Sequence, residues 1–289
     1  LAIAGQPENM IFYLPDPGVS FYAKKLSLVV FSVSQQAWVR IMSVLRGLVY
    51  RLWLFWVMFF VIVQTAFWST VSIILFLFDS TGKLTHACGA RPWARVLLWG
   101  ARAKVRLNGV ENIAGLKGSA VLIVNHQSLF DVIALLGHLP MDFKFVVKEE
   151  LMKVPLWGFA MRRAGYMPIA RGNSAAAQRL FEESARRIRQ GSSVLFFAEG
   201  TRSKDGRLGR FKGGGFKLAC ASGCPVLPVV VQGSREILPK NSIYIKPGVI
   251  DLTVLAPVDC ALVSNDSWEL MQLVRQKMLS ALGQEDEPA

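Results

Sequence analysis

Residues 120–131 read AVLIVNHQSLFD: five apolar residues without alternation, then a polar turn, then an acidic residue at the head of an apolar segment. An uninterrupted apolar run of this length is the pattern of a strand buried on both faces, as in a sheet covered by helices on each side. The same order of apolar strand, polar turn and helix recurs along the chain. Strands are predicted at 104–107, 143–147, 166–170, 193–197, 226–231 and 249–255 in addition to 120–124. Helices are predicted at 129–138, 154–165, 174–190, 214–221 and 267–282, two of them ended by Gly165 and Gly191. The fold class is therefore α/β, with a mixed, largely parallel sheet flanked by helices.

The region before residue 80 differs in kind. Residues 52–78, LWLFWVMFFVIVQTAFWSTVSIILFLF, contain no charge and exceed the roughly 20 apolar residues that cross a bilayer core. A secretory leader is not expected, given that length and the absence of a small-residue cleavage site after it. Residues 23–51 read as a partly amphipathic helix that lies along a membrane. Gln64, Thr65, Ser69, Thr70 and Ser72 interrupt the apolar run and favour a bend, hence an in-plane or re-entrant hairpin over a single span. Basic residues on both sides (Arg40, Arg46 and Arg51; Lys83, Arg91 and Arg95) leave orientation undecided. Turn signals at 79–93 set the boundary, giving membrane-embedded helices at 1–79 and an α/β domain at 80–289.

The net charge is +13. Such a surface attracts anionic headgroups, nucleic acid or phosphorylated small molecules. No recognition helix, aromatic RNA-binding strand or zinc spacing is present, so anionic lipid is favoured and nucleic acid is not expected. Cys88, Cys220, Cys224 and Cys260 form no C-x-x-C pair and have no histidine at metal-ligand spacing. They read as reduced thiols, and no metal is expected. His86 reads as a loop residue, and His138 as a cation at a helix C-terminus.

His126 and Asp131 are five residues apart, about 140° around a continuous helix, so they share a face only if the chain bends between them. SLFD supplies the bend: Ser128 is an N-cap and Asp131 the third helical residue of a capping box. His126 then lies on the strand-to-helix turn, and its ring can fold back onto the carboxylate. A carboxylate that accepts one ring N–H leaves the other nitrogen as a base suited to a hydroxyl proton near neutral pH. A capping Asp131 beside an incidental turn histidine is the plainer alternative, and Ser128 as an acyl nucleophile lacks the G-x-S-x-G context.

SVLFFAEGTRS, 193–203, repeats the strand-then-turn arrangement. Glu199, Gly200, Thr201 and Arg202 bring a carboxylate, an open backbone, a hydroxyl and a guanidinium to four successive positions. That set can hold a phosphate, with Glu199 bracing the arginine or a hydroxyl. A surface turn with an exposed ion pair is the alternative. Lys148 follows one more strand and Arg171 another, and ligands of open α/β sheets settle at strand carboxyl ends. Taken singly, each cation also fits a solvated surface charge. Together these ends predict one basic pocket around a phosphate, next to a base. RFKGGGFK, 210–217, offers Lys212 and an anion-binding helix entry but lacks the spacing of a nucleotide-binding phosphate loop.

With NHQSLFD and FFAEGTRS at this separation, the chain resembles the 1-acylglycerol-3-phosphate acyltransferase (lysophosphatidic acid acyltransferase) family over about residues 93–258. The resemblance implies His126 as base, Asp131 as its orienting partner, and Lys148 and Arg202 as phosphate ligands. Arg171, Glu199, Gly200 and Thr201 fall in the family's second and third motifs, and Pro228 in its fourth. Ala170 and Gly213 depart from the usual pattern. The implied reaction moves a fatty acyl group from an acyl thioester, acyl-CoA or acyl carrier protein, to the sn-2 hydroxyl of lysophosphatidic acid, without a further cofactor. It also implies membrane association with the catalytic domain facing the cytoplasm, at the inner membrane in a bacterium. Glycerol 3-phosphate, a lyso-ornithine lipid or another lysophospholipid is the alternative acceptor. A membrane protein that only binds anionic lipid is the non-catalytic alternative.

Overall fold

The computed structural model describes residues 17–79, 81–169 and 174–286. Contacts divide the chain into two compact units, residues 1–60 and 61–289. The described part of the first unit belongs to helix α1 (Pro17–Phe76). From Leu52 to Phe60 most of its large apolar side chains are exposed, and the rings of Phe55, Trp56 and Phe59 pack on one another. By length and composition, Met42–Phe76 is long and apolar enough to cross a membrane.

The expected bend at 64–72 is absent, because α1 continues through it to Phe76. Its polar residues have another use within the second unit. Gln64 donates to the Trp93 carbonyl (2.9 Å) and accepts from Trp68 Nε1 (3.1 Å), while Trp93 Nε1 donates to Thr65 Oγ1 (3.1 Å). The Ser72 carbonyl accepts from Thr85 Oγ1 (3.3 Å). Apart from the Trp68 bond, which lies within α1, these are interhelical bonds to a helical stretch made of α2 (Lys83–Thr85), a π-helical turn (His86–Ala90) and α3 (Arg91–Gly100). Residues 61–79, grouped by the sequence with the N-terminal part, thus pack with the α/β unit. Asp79 starts α2: it accepts from Leu84 N (2.7 Å) and from Thr81 N and Oγ1 (2.8 and 2.6 Å). Those bonds hold its carboxyl below the usual range, the Leu84 N–H most of all.

The rest of the second unit is the predicted alternation. It runs β1 (Ala103–Asn108), α4 (Glu111–Ala114), β2 (Val121–Val124), α5 (Leu129–His138), β3 (Phe143–Lys148), α6 (Trp157–Arg163) and β4 (Met167–Ile169). There follow α7 (Ser174–Arg189), β5 (Ser193–Phe197), α8 (Gly214–Ser222), β6 (Val226–Gln232), α9 (Ser234–Ile237), β7 (Gly248–Val254) and α10 (Ser267–Leu282). Among the described residues the sheet has seven strands in the order β1-β7-β6-β2-β5-β3-β4. The five from β6 to β4 are parallel, whereas β7 runs antiparallel to β6 and parallel to β1. β2 lies among them, its four residues at most 1% exposed, between two apolar clusters. Predicted strand 166–170 is observed as the shorter β4, and Ala170 lies outside the described residues.

Four side chains depart from expectation. His86 is buried in the π-helical turn, its ring edge-on to Phe143 and its Nδ1 3.3 Å from the Tyr166 hydroxyl. His138 does end α5, but burial, with Arg95 next in effect, lowers its pKa and opposes the cationic role. Cys220 and Cys260 are joined as a disulfide, with Cα atoms 5.4 Å apart, and are not free thiols.

Burial, with nearby Lys144 second, pushes the His86 pKa from 6.5 down to about 4. A histidine neutral in the folded chain costs nothing above its unfolded pKa, and stability is lost as pH falls from about 6.5 toward 4. The shift corresponds to about 3 kcal/mol at its full extent. We expect His86→Gln to flatten that share of the pH dependence of thermal unfolding in detergent, which a melt series from pH 7.5 to 4 measures.

Candidate active site

The two polar turns meet at the carboxyl edge of the parallel strands. β2 ends at Val124, and Asn125 closes the strand end: its amide donates to the Val231 carbonyl (2.8 Å) and accepts from the Val231 N–H (2.7 Å). The chain then turns at His126 and enters α5 through the predicted capping box. Ser128 Oγ accepts from Phe130 N (3.2 Å), and Asp131 accepts from Ser128 N (2.9 Å).

Asp131 has no exposed surface. One of its oxygens, Oδ2, receives Gln127 N (2.6 Å), Ser128 N (2.9 Å) and His126 Nδ1 (2.7 Å). The carboxylate favours the tautomer with hydrogen on Nδ1, which leaves Nε2 as the proton-accepting nitrogen. Phe197, the last residue of β5, stacks on the imidazole with ring centroids 3.9 Å apart and planes 20° from parallel. The His126 side chain is 14% exposed, so the ring is fixed on one face yet reachable from solvent.

The second turn is tied to the first at two points. Ser203 N donates to the His126 carbonyl (2.7 Å), and His126 N donates to Glu199 Oε1 (2.9 Å). The other Glu199 oxygen accepts from Gly209 N (3.1 Å). Glu199 therefore braces backbone and not the arginine or hydroxyl expected from sequence. Burial raises its pKa, and the two N–H bonds work against that rise. Gly200 has φ +67, a backbone conformation that favours glycine, and it lies against the flexible end of the Lys212 side chain. The loop 206–209 is gripped from α10 and beyond. Gln284 bonds to the Gly206 carbonyl and the Leu208 N–H, and Arg275 to the Gly209 carbonyl.

Of the remaining predicted residues, Thr201 is exposed and Arg202 half-buried, next to the Ser203–His126 bond. Lys148 ends β3 at the same edge of the sheet, with its exposed ammonium 3.2 Å from Glu150. Arg171 lies outside the described residues. The structure thus joins His126, Asp131, Glu199 and the 200–203 turn through bonds, and gives Lys148 only a common edge. Sequence reasoning missed Asn125, Phe197 and Lys240. Asn125 was legible as the first polar residue after a buried strand. Lys240, in LPKN, carries no signal at all.

Residues 104–232 match the family model described as Acyltransferase. The chain is 36% identical over 166 residues to the 1-acyl-sn-glycerol-3-phosphate acyltransferase LPAT1, chloroplastic, of Arabidopsis thaliana, covering 57% of this chain and 46% of that protein. It is 33% identical over 171 residues to a 1-acyl-sn-glycerol-3-phosphate acyltransferase of Pseudomonas aeruginosa, covering 56% and 63%. The chain spans about half the length of the curated plant relatives it matches. The fold is shared with the crystal structure of the 1-acyl-sn-glycerophosphate acyltransferase PlsC of Thermotoga maritima, at TM-score 0.67 and 24% identity, covering 79% of this chain and 93% of that one.

Both Glu199 oxygens face N–H donors, whereas a glutamine amide offers only one acceptor. Glu199→Gln is expected to set an NH2 against a backbone N–H and to cost about 1–3 kcal/mol. Denaturant unfolding in detergent checks this, and an unchanged midpoint would show that the two bonds carry no weight.

Proposed function

We propose that this chain, whose residues 104–232 match the family model described as Acyltransferase, moves a fatty acyl group from an acyl thioester to the sn-2 hydroxyl of lysophosphatidic acid, forming phosphatidic acid. The observation that carries the reading is the 2.7 Å contact between His126 Nδ1 and buried Asp131. It holds one imidazole as a base at a strand end beside a turn rich in anion-binding groups. Relatives bearing the 1-acyl-sn-glycerol-3-phosphate acyltransferase name support the choice of acceptor.

In this reading His126 Nε2 takes the proton of the acceptor hydroxyl as its oxygen attacks the thioester carbonyl. The tetrahedral centre collapses, the C–S bond breaks, and the imidazolium returns its proton to the departing thiolate. The products are the ester and a free thiol, of coenzyme A or of acyl carrier protein, and no further cofactor takes part. Asp131 fixes the ring and stabilises its cationic form in the transition state. Arg202, Lys148 and Arg171, with the Gly200–Thr201 backbone and hydroxyl, bind the acceptor's phosphate, while Glu199 holds the turn that presents them.

His126→Ala is expected to lower turnover by at least about 10²-fold. Arg202→Ala is expected chiefly to raise the acceptor KM. Thiol release from an acyl thioester measures both, with lysophosphatidic acid as acceptor. Full turnover by the histidine variant would remove the general base. A set of acceptors with and without a phosphate monoester separates lysophosphatidic acid from glycerol 3-phosphate, lyso-ornithine lipid and other lysophospholipids.

The apolar segment Met42–Phe76 supports membrane attachment. The α/β unit then faces the cytoplasm, where acyl thioesters are made. The Cys220–Cys260 bond is the observation that stands against this side, since cytosolic thiols are kept reduced. Alkylation of the protein denatured without reductant decides it: four reactive cysteines fit the cytoplasm, and two fit an oxidising compartment.

A further inference from the structure

Nothing in the sequence marks Ser234–Lys240, the segment that follows β6, yet it is tied to both turns of the site. Gly233, at φ +81, turns the chain out of β6 into α9. Ser234 and Ile237 are fully buried and anchor the segment at the sheet edge beside β2. Ser128, the cap of α5, donates from Oγ to the Leu238 carbonyl (2.7 Å). Arg235 reaches the Lys204 carbonyl (3.2 Å), in the loop after the second turn. Two residues beyond Leu238, Lys240 Nζ donates to the Arg202 carbonyl (2.7 Å) and lies 3.4 Å from Thr201 Oγ1.

We infer that Lys240 is a positioning and specificity residue, holding the Thr201–Arg202 turn in the form that receives the acceptor's phosphate. The inference rests on the acyltransferase reading for its substrate, but not for its geometry. A carbonyl bound to an ammonium fixes the peptide plane at Arg202, and with it the direction in which the guanidinium leaves the backbone. The hydroxyl of Thr201 is drawn to the same ammonium. Lysine has three donors, so Nζ keeps a further proton and its whole charge beside the turn. An oxyanion there meets Lys240 as well as Arg202, whereas a neutral acceptor gains nothing from either. Lys212, packed over Gly200, adds a second amine to the same turn.

The test uses the full chain in detergent, with Lys240→Met and Lys240→Arg. For Lys240→Met, the KM for lysophosphatidic acid should rise about tenfold, the scale of one lost charge-assisted hydrogen bond. Turnover and the KM for the acyl thioester should stay near wild type, and Lys240→Arg should recover most of the loss. A phosphate-free monoacylglycerol should show no such difference between variants. An unchanged acceptor KM, or an equal loss with monoacylglycerol, would overturn the role.

If the wild-type chain acylates neither acceptor, the enzymatic reading fails by itself. Lys240 is then judged on calorimetric binding of lysophosphatidic acid against lysophosphatidylcholine, where only the first should weaken in Lys240→Met. Equal weakening of both, or of neither, would remove the inference. Should Lys240→Met not fold, Lys240→Gln, which also removes the charge, takes its place with the same expected rise in acceptor KM and the same overturning outcomes.

Discussion

Asp131 accepts three N–H groups through one oxygen while having no surface in contact with solvent. Two of them come from the backbone of Gln127 and Ser128, and one from the His126 ring. The backbone pair bends the chain between strand and helix, and the ring is drawn onto the same atom by that bend. A buried carboxylate is costly unless it is hydrogen-bonded, and here local sequence supplies three donors to Oδ2 within five residues, while Oδ1 is buried without a hydrogen-bond partner among the described residues. The residues that cap the helix are therefore the residues that orient the His126 ring. This is why the spacing of His126 and Asp131, meaningless on a regular helix, is productive on a capped turn.

The second turn depends on the first through Glu199. A side chain from the end of β5 reaches the N–H of His126 at the end of β2, and the partner strands place those ends side by side. Its other oxygen reaches Gly209, whose loop is held by Arg275 and Gln284. His126, the turn after β5 and the C-terminal helix thus share one continuous set of bonds. Phe197 closes the lower face of the imidazole, so the ring is positioned by stacking as well as by the carboxylate.

Most of the sheet was legible because burial on both faces leaves a plain trace: 193–197 as a strand, and 129–138 and 267–282 as helices, coincide with observed elements. The capping box was legible for the same local reason. What escaped was long-range. The reversal of β7 against β6 depends on a connection of ordinary composition. The polar residues at 64–72 signalled a bend because a sequence does not show that Trp93 waits as a partner. Glu199 was given a side-chain partner because backbone donors are invisible in a string of residue names. Lys240 acts on a carbonyl and a hydroxyl nearly forty positions away, and no spacing rule reaches that far.

The pairing of β1 has a consequence for biosynthesis. Among the described residues it is the first strand in chain order, yet its neighbour in the sheet is β7, with Arg106 facing Asp251 across 145 residues. At ordinary elongation rates that gap is roughly 7–30 s, during which the nascent edge has no strand to pair with. Loop closure on this scale slows folding and exposes a template for wrong pairing. Short length, and the charges of Lys104 and Arg106, make that waiting edge a poor nucleus for aggregation.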